Sequence, residues 1–582
     1  MIPMLRAIVR TLQQGATLRR LGLPYSQEER RRGFVVLQID ALSHKDLLAA
    51  LEAGLMPRFR SLIDSGRYRL EGWRCGMPSD TAAIQCAMWY GNKSHIPGFY
   101  WYDKRQRKPI ICSWPMDMAK VERACAGGRE GLLRHGSVYT GMASGGASRA
   151  VITTSALGRA KFPPKLTGID IVLLLLLHPW RFGRAVWLTF AEVFREVVDQ
   201  AHARARGGYV APEGIFPITR AFTHVLFREL STLGVRLDIF RGVPAIYANF
   251  IGYDEIAHHL GPTSRYAYRA LKSIDRQIYD VYQAVEASLL RSYDLFIMSD
   301  HGMTPSVPFQ FLYGQTLGQF MSQHNAGSMP TRELEPRSQK DRSVIQQVEE
   351  LSDEVGPRTS SFTRVALDRL ARLAMLIGTG PLQAGLSENS DSPILAVYSS
   401  SLANVYFTRE PETLDLSEIE RIAPGLLKSV VEHEGVGIVL GRESGRTVAI
   451  TKSGSIYLET APGPQLEGLR EYDKPDLIAR QLIDLAAVPN SGDLLVFGAY
   501  NDGRVVNFED HAGAHGGLGG VQAFPFMAIP RQARISVSDV SDATQLYSRF
   551  NEYYWRREGA GNHSLQAGNE DRLGEMEVVG DV

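Results

Sequence analysis

The sequence predicts an α/β protein: a doubly wound, mostly parallel sheet with helices on both faces, carrying insertions and a small α+β subdomain. Three observations support this. Strand-like apolar runs alternate with stretches of helical periodicity, the pattern of parallel strands joined by helical crossovers. Acidic and imidazole side chains cluster where three of those runs give out, and ligands of open α/β sheets collect beyond the carboxyl ends of strands. At 582 residues the chain also exceeds what one ordinary core supports, so insertions or a second domain are expected.

Residues 1–32 form a basic amphipathic segment, with Ile2, Leu5, Ile8, Val9 and Leu12 on one helical face and Arg6 and Arg10 off it. Such a face suits either an anionic membrane surface or packing on the domain. Without an uninterrupted apolar core or a small-residue cleavage site, the segment does not read as a secretory signal. The first part of the core spans residues 33–317 and opens with the strand FVVLQIDA. One helix is expected through HKDLLAALEAGLMPRFRSLIDSG, with Leu47, Leu48, Leu51, Leu55, Phe59 and Leu62 near helical spacing and Gly66 as its stop. AIYANFIGYD reads as a second central strand, followed by a long helix from about Ser264 to Leu290, and YDLFIMSD as a third strand.

Within this part, a hydrophobic helical insert is expected at about residues 141–205. Its run Ile171 to Leu177 is wholly apolar, but it falls far short of the ~20 residues a membrane span requires, and Pro179, Arg181 and Arg184 break the apolar character just beyond it. The stretch 169–194 reads as a buried hairpin, a hydrophobic cover over a cleft, or a partner-binding face. Residues 318–392 read as a polar, irregular insertion. Residues 393–464 read as a small α+β subdomain with strands ANVYFT, GVGIVL, TVAITK and SIYLET around a helix at LSEIERIAPGLLKSVVEH. Residues 465–557 complete the core with strands LLVFGAY and AFPFMAIP, and 558–582 read as a disordered polar tail.

Composition narrows the function classes. The 44% hydrophobic and 22% charged residues are ordinary for a soluble globular chain. Sixty-four Lys and Arg nearly cancel 63 Asp and Glu, so no global field favours nucleic acid, and no nucleic-acid partner is expected. Cys75, Cys86, Cys112 and Cys125 show no CxxC pairing and are too few for a disulfide scaffold. They read as reduced thiols of a cytoplasmic protein, peripheral on the inner membrane face if the N-terminal segment binds lipid.

The chemistry lies in four clusters: Asp40, Asp254 with His258, Asp300 with His301, and His515 in GAHGGLGG. Carboxylates and imidazoles suit zinc or another borderline divalent cation, and three to four donors fill one tetrahedral site, so six suggest two metals. Asp254 and His258 share a face if GYDEIAHHLG is helical, and His515 would complete their site. Such pairs also cap helices or form surface contacts. Asp300 and His301 point apart on a regular strand but converge where the backbone turns, and they would join Asp40 and Thr81 in a second site.

Thr81 stands just ahead of an apolar helical stretch in PSDTAAIQCAMWYG. Metal coordination and a helix N-terminus both lower a hydroxyl pKa, which makes Thr81 a candidate nucleophile for in-line phosphoryl displacement. Thr81, Ser79 or Asp80 would serve equally as a helix N-cap.

The ordered set of Asp40, P-S-x-T at Pro78 to Thr81 with Gly91 beyond it, HIPGFYWYD, D-x-x-x-H-x-x-G at Asp254 to Gly261, SDHGM, and G-x-HGG at Gly513 to Gly517 resembles the alkaline phosphatase superfamily. Within it, the chain is most similar to the type I phosphodiesterase and nucleotide pyrophosphatase branch. The resemblance covers roughly residues 33–140, 205–315 and 480–535. It implies an alkaline phosphatase-like fold, one zinc held by Asp254, His258 and His515, and another held by Asp40, Asp300 and His301. It further implies that Thr81 is a metal ligand and the nucleophile that forms a phospho-enzyme.

His259 and His511 adjoin ligand positions without matching the pattern and read as supporting or structural residues, with His511 the substitute should His515 not be the ligand. The chain departs from the branch at Phe99, where nucleotide pyrophosphatases place an Asn on the phosphoryl oxygens. A backbone amide or Asn92 would have to take that task.

The function these readings imply is hydrolysis of phosphodiester or phosphoanhydride bonds, on a phosphate-ester substrate that is lipid-linked if residues 171–194 cover the cleft. Two alternatives stand beside it. One is a phosphomonoesterase using Lys93 or Lys104 to hold a dianion, and the other is a membrane-surface binding protein with a vestigial hydrolase core.

Overall fold

The computed structural model describes residues 32–157, 216–325, 329–334, 392–460, 469 and 472–556. The expected N-terminal segment, the 169–194 stretch and the C-terminal tail lie outside these residues, apart from Arg32. Among the described residues, no helix is long and apolar enough to cross a membrane.

A seven-stranded sheet forms the centre. Its strands are β1 (Gly33–Ile39), β2 (Tyr68–Gly72), β3 (Ser137–Tyr139), β4 (Arg149–Val151), β5 (Ala245–Phe250), β6 (Tyr293–Met298) and β7 (Phe526–Pro530). They lie in the order β2-β7-β6-β1-β5-β3-β4. The five strands from β6 to β4 are parallel, while β7 and β2 add an antiparallel margin. In β1, every residue is buried, as a strand covered on both faces requires.

Alternate residues of β1 feed two cores. Phe34 and Val36 face α3 (Thr81–Tyr90), α4 (Pro115–Ala126) and α8 (Thr544–Tyr554). Val35, Leu37 and Ile39 face α1 (His44–Glu52), α2 (Pro57–Asp64), α5 (Phe216–Phe240) and α7 (Arg265–Glu286). Phe34 anchors the C-terminal helix through ring contacts with Phe550 and Tyr554, at centroid distances of 5.7 and 4.7 Å. The remaining labelled helix is α6 (Gly252–Leu260), directly after β5.

The structure corrects several element expectations. The single helix expected after β1 is two, α1 and α2, because Gly54 takes φ +66° and Pro57 starts a new helix. The helix expected at 416–433 likewise splits into Leu416–Ile422 and Leu426–Glu432 around Pro424 and Gly425. Residues 149–151 of the expected hydrophobic insert form the sheet-edge strand β4.

A second seven-stranded sheet orders Thr331–Leu334, Ile394–Ser399, Leu402–Phe407, Leu494–Gly498, Val436–Glu443, Arg446–Thr451 and Gly454–Tyr457. Thus the segment expected to be irregular supplies the helix Leu317–Gln323 and one strand, with residues 335–391 outside the described chain. LLVFG, expected in the core sheet, belongs here instead, pairing antiparallel with Leu402–Phe407 and Val436–Glu443. A short, fully buried apolar run carries no signal of which sheet will receive it.

A buried ion pair ties a two-stranded hairpin, Tyr100–Asp103 with Lys108–Ile111, to the second sheet. Lys104, just past the hairpin strand Tyr100–Asp103, places Nζ 2.9 Å from both carboxylate oxygens of Asp493 and 2.6 Å from the Glu412 carbonyl oxygen. Asp493 also accepts from the Phe407 and Leu414 amides. Removing one partner of a buried pair strands the other charge, at a cost of about 3 kcal/mol or more. Lys104→Met is therefore expected to lower the unfolding free energy by that amount, read as a lower urea midpoint at unchanged slope, and an unchanged midpoint would contradict the role given to this pair.

Candidate metal centre and nucleophile

The carboxyl ends of β6, β1 and β5, neighbours in the sheet, deliver the candidate ligands. Asp40 directly follows β1, and Asp300 and His301 follow β6 after Ser299. Asp254 and His258 lie one turn apart on α6, the helical turn the spacing anticipates. His515 comes right after the short strand Gly513–Ala514.

Thr81 is the first residue of α3, and Asp80 is the N-cap, its side chain accepting from the Ala83 amide. The capping task thus falls to Asp80, and the Thr81 hydroxyl turns to the ligands. Its Oγ1 lies 3.2 Å from Asp40 Oδ1 and 3.2 Å from His301 Nε2.

Two groups result. In one, His301 Nε2 is 3.7 Å from Asp40 Oδ1 and 3.5 Å from Asp300 Oδ2. In the other, His258 Nε2 is 3.4 Å from Asp254 Oδ1 and 3.0 Å from His515 Nε2, and His515 Nε2 is 3.9 Å from Asp254 Oδ1. Within each trio the ligand atoms lie no more than 4.8 Å apart. The His301 and His515 rings stack at 4.2 Å, so the groups are adjacent. Donors about 2.1 Å from a tetrahedral ion are separated by about 3.4 Å. Both trios are near this spacing, and Thr81 Oγ1 sits where a fourth donor to the first group belongs.

The histidines are oriented from behind. Their Nδ1 atoms meet backbone carbonyls: His258 that of Gly513 at 3.1 Å, His301 that of Gly302 at 3.1 Å, and His515 that of Ser79 at 3.0 Å. Each carbonyl only accepts, so each Nδ1 carries a proton and each Nε2 is turned into the site. The Nε2 atoms of His258 and His515 face each other at 3.0 Å, a spacing that suits two donors to one cation.

The carboxylates point the same way. Burial, with the Asp300 charge second, pushes Asp40 up to about 7 against the opposing effects of His301, Asn249 and Thr81. Burial also pushes Asp300 up to about 7, against hydrogen bonds that include the Ala41 amide. Burial lowers the His301 pKa, so the ring is held neutral and ligand-ready. Asp300 Oδ2 is buried with no hydrogen-bond partner among the described residues. Two buried carboxylates, the neutral His301 imidazole and an orphaned oxygen together fit a divalent cation.

The other sequence candidates fall outside this arrangement. Asn92 lies past the far end of the ten-residue α3, about 15 Å along the helix from Thr81, and its amide donates to the Cys125 carbonyl. It cannot hold the phosphoryl group. Lys93 pairs with Asp542 at 2.7 Å and Lys104 with Asp493, so both cations proposed for a dianionic substrate are committed elsewhere. Phe99 packs against the core. His511 contacts the His258 and His259 rings at 4.9 and 5.3 Å and lies 3.2 Å from Glu509, beside the ligand groups and in neither. All four cysteines are free and buried.

Sequence reasoning missed the residues that hold the candidate ligands. Asn249 Nδ2 donates to Asp40 Oδ2 at 2.6 Å, Ser79 supports His515, and Ser400 Oγ accepts the His515 amide at 3.3 Å. A polar amide inside the apolar strand AIYANF was the available signal for Asn249.

The model of a family described as type I phosphodiesterase / nucleotide pyrophosphatase matches residues 34–367, more than half of the chain. A comparison with curated proteins returns no match. Among solved structures, phosphonoacetate hydrolase from Sinorhizobium meliloti 1021 is similar at 15% identity, with 91% of this chain and 98% of that one covered and a TM-score of 0.43. Alkaline phosphatase PafA aligns at 12% identity over 91% and 96% of the two chains, with a TM-score of 0.46. Murine ectonucleotide pyrophosphatase / phosphodiesterase 5 aligns at 10% identity over 90% and 95%, with a TM-score of 0.40.

Zinc at about 100 times its dissociation constant is expected to add about 2.7 kcal/mol per site, seen as a rise in thermal midpoint that a chelator reverses. In His258→Ala the rise should shrink to that of one site. A midpoint indifferent to zinc and chelator would count against both groups.

Proposed function

The chain belongs to the type I phosphodiesterase / nucleotide pyrophosphatase family, and we propose that it hydrolyses phosphodiester or phosphoanhydride bonds with Thr81 as nucleophile beside two zinc ions. The observation that supports this most is the position of Thr81 Oγ1, 3.2 Å from both Asp40 Oδ1 and His301 Nε2 at the buried N-terminus of α3.

Asp40, Asp300, His301 and Thr81 would hold one ion, and Asp254, His258 and His515 the other. When bound, the pair supplies Lewis-acid stabilisation of the charge that builds on the phosphoryl oxygens and on the leaving oxygen. The chain supplies the rest. Thr81 gives up its hydroxyl proton to solvent and its Oγ attacks phosphorus in line as the bond to the leaving oxygen breaks, giving a phosphothreonine ester, while the leaving oxygen takes a proton from solvent and departs as an alcohol or phosphate product. Water then attacks the same phosphorus, and the bond to Thr81 breaks, releasing the phosphorylated product and restoring the hydroxyl.

The α3 N-terminus contributes its positive dipole end beside Thr81, and the Thr81 backbone amide would stand in for the Asn that Phe99 replaces. Asn249 fixes the Asp40 carboxylate so that Oδ1 faces Thr81. Phosphodiesters are favoured over phosphomonoesters because the two lysines weighed for a dianion, Lys93 and Lys104, are consumed in ion pairs.

Thr81→Ala is expected to lower turnover of bis(p-nitrophenyl) phosphate at least 1000-fold, with zinc content and circular dichroism retained, while wild type prefers that diester to p-nitrophenyl phosphate. Retained diester turnover in Thr81→Ala would remove the nucleophile assignment, and faster monoester turnover in wild type would reverse the substrate class.

A further inference from the structure

The second sheet reaches the metal centre through the turn Ser399–Ser401, which joins its strands Ile394–Ser399 and Leu402–Phe407. The three serines are buried, an unusual setting for consecutive hydroxyls. Ser400 takes φ +61°, a conformation that non-glycine residues adopt sparingly and that persists where the surroundings over-determine it.

Those surroundings are the loops of the site. Ser400 Oγ accepts the His515 amide at 3.3 Å, its own amide donates to Glu509 Oε1 at 3.0 Å, and its carbonyl accepts the Phe508 amide at 3.1 Å. Ser401 Oγ donates to Gln522 Oε1 at 3.2 Å, the same oxygen that receives the Gly517 amide at 3.1 Å. On the other side, Ser399 Oγ bridges the amide and carbonyl of Tyr100, at 3.1 and 3.2 Å. A side chain at Gly517 would collide with Ser401 Oγ, at 2.4 Å from a Cβ built there, so the turn and the loop need close backbone approach.

His515 is therefore gripped twice. Ser79, two residues before Thr81, fixes its imidazole, and the turn of the second sheet fixes its backbone. We propose that the Ser399–Ser401 turn is a positioning element for His515, so that docking of the second sheet sets the metal affinity of the Asp254, His258 and His515 group. This rests on the two-metal reading above. It gives the second sheet a task in the chemistry although it contributes no ligand to either group.

The test uses full-length protein loaded with zinc and titrated with a chelator, with bound zinc counted by elemental analysis. Ser400→Gly keeps the backbone conformation without strain and removes the oxygen. It is expected to release one zinc equivalent at 10- to 100-fold weaker chelation than wild type while the second equivalent is unmoved. Ser400→Ala, which removes the same oxygen but keeps Cβ, should behave alike. Ser400→Asn, tolerant of positive φ and carrying an acceptor oxygen, should recover part of the affinity. Equal retention of both ions in Ser400→Gly and Ser400→Ala overturns the inference, as does a parallel loss of both ions together with the melting temperature of the metal-free protein. A wild-type chain that takes up no zinc overturns the two-metal reading itself and this inference with it.

Discussion

Two carboxylates, Asp40 and Asp300, are buried face to face at the ends of the adjacent parallel strands β1 and β6, and the rest of the site is arranged around that unfavourable pair. Burial and mutual repulsion raise the Asp40 pKa to about 7, and burial is the leading cause of the same rise at Asp300. A structure with no use for both charges would lose little by replacing either with an apolar side chain of similar size. Their presence, beside the neutral His301 imidazole that turns its Nε2 inward, makes sense when positive charge is drawn into the gap.

The fold makes this convergence inexpensive. Parallel strands all end on one side of the sheet, so three neighbouring strands present their following residues to one crevice with only short connections. α6 starts within two residues of β5 and brings Asp254 and His258 one turn apart, while α3 points its N-terminus, and with it Thr81, at the first group. The supporting hydrogen bonds come from farther away. Asn249 reaches Asp40 across 209 residues of chain, and Ser79 reaches His515 across 436. Orientation of the candidate ligands is thus a property of the assembled protein rather than of any one segment.

The same division separates residues whose grouping is legible in the sequence from those whose placement is not. Asp40, Asp300 and His301 were legible because each ends a run of apolar residues, and Asp254 and His258 because four-residue spacing is the helical repeat. The doubly wound core was legible for the same reason, in the alternation of strand and helix. Helix interruptions at Gly54 with Pro57 and at Pro424 with Gly425 were visible as residues, yet the apolar periodicity running across them outweighed the breakers. The sheet assignment of LLVFG was not legible, since a run buried on both faces looks alike in either sheet. Ser400 and Asn249 were hidden because their roles depend on partners that only the fold brings near.

Two ions gathered beside one threonine oxygen are the core of the proposed chemistry. The most direct test is anomalous diffraction at the zinc absorption edge from crystals grown with zinc. Two peaks are predicted, one about 2 Å from the donor atoms of Asp40, Asp300 and His301 and within coordination reach of Thr81 Oγ1, the other about 2 Å from those of Asp254, His258 and His515. No peak in the crevice, or zinc bound only at surface residues away from Thr81, would contradict it.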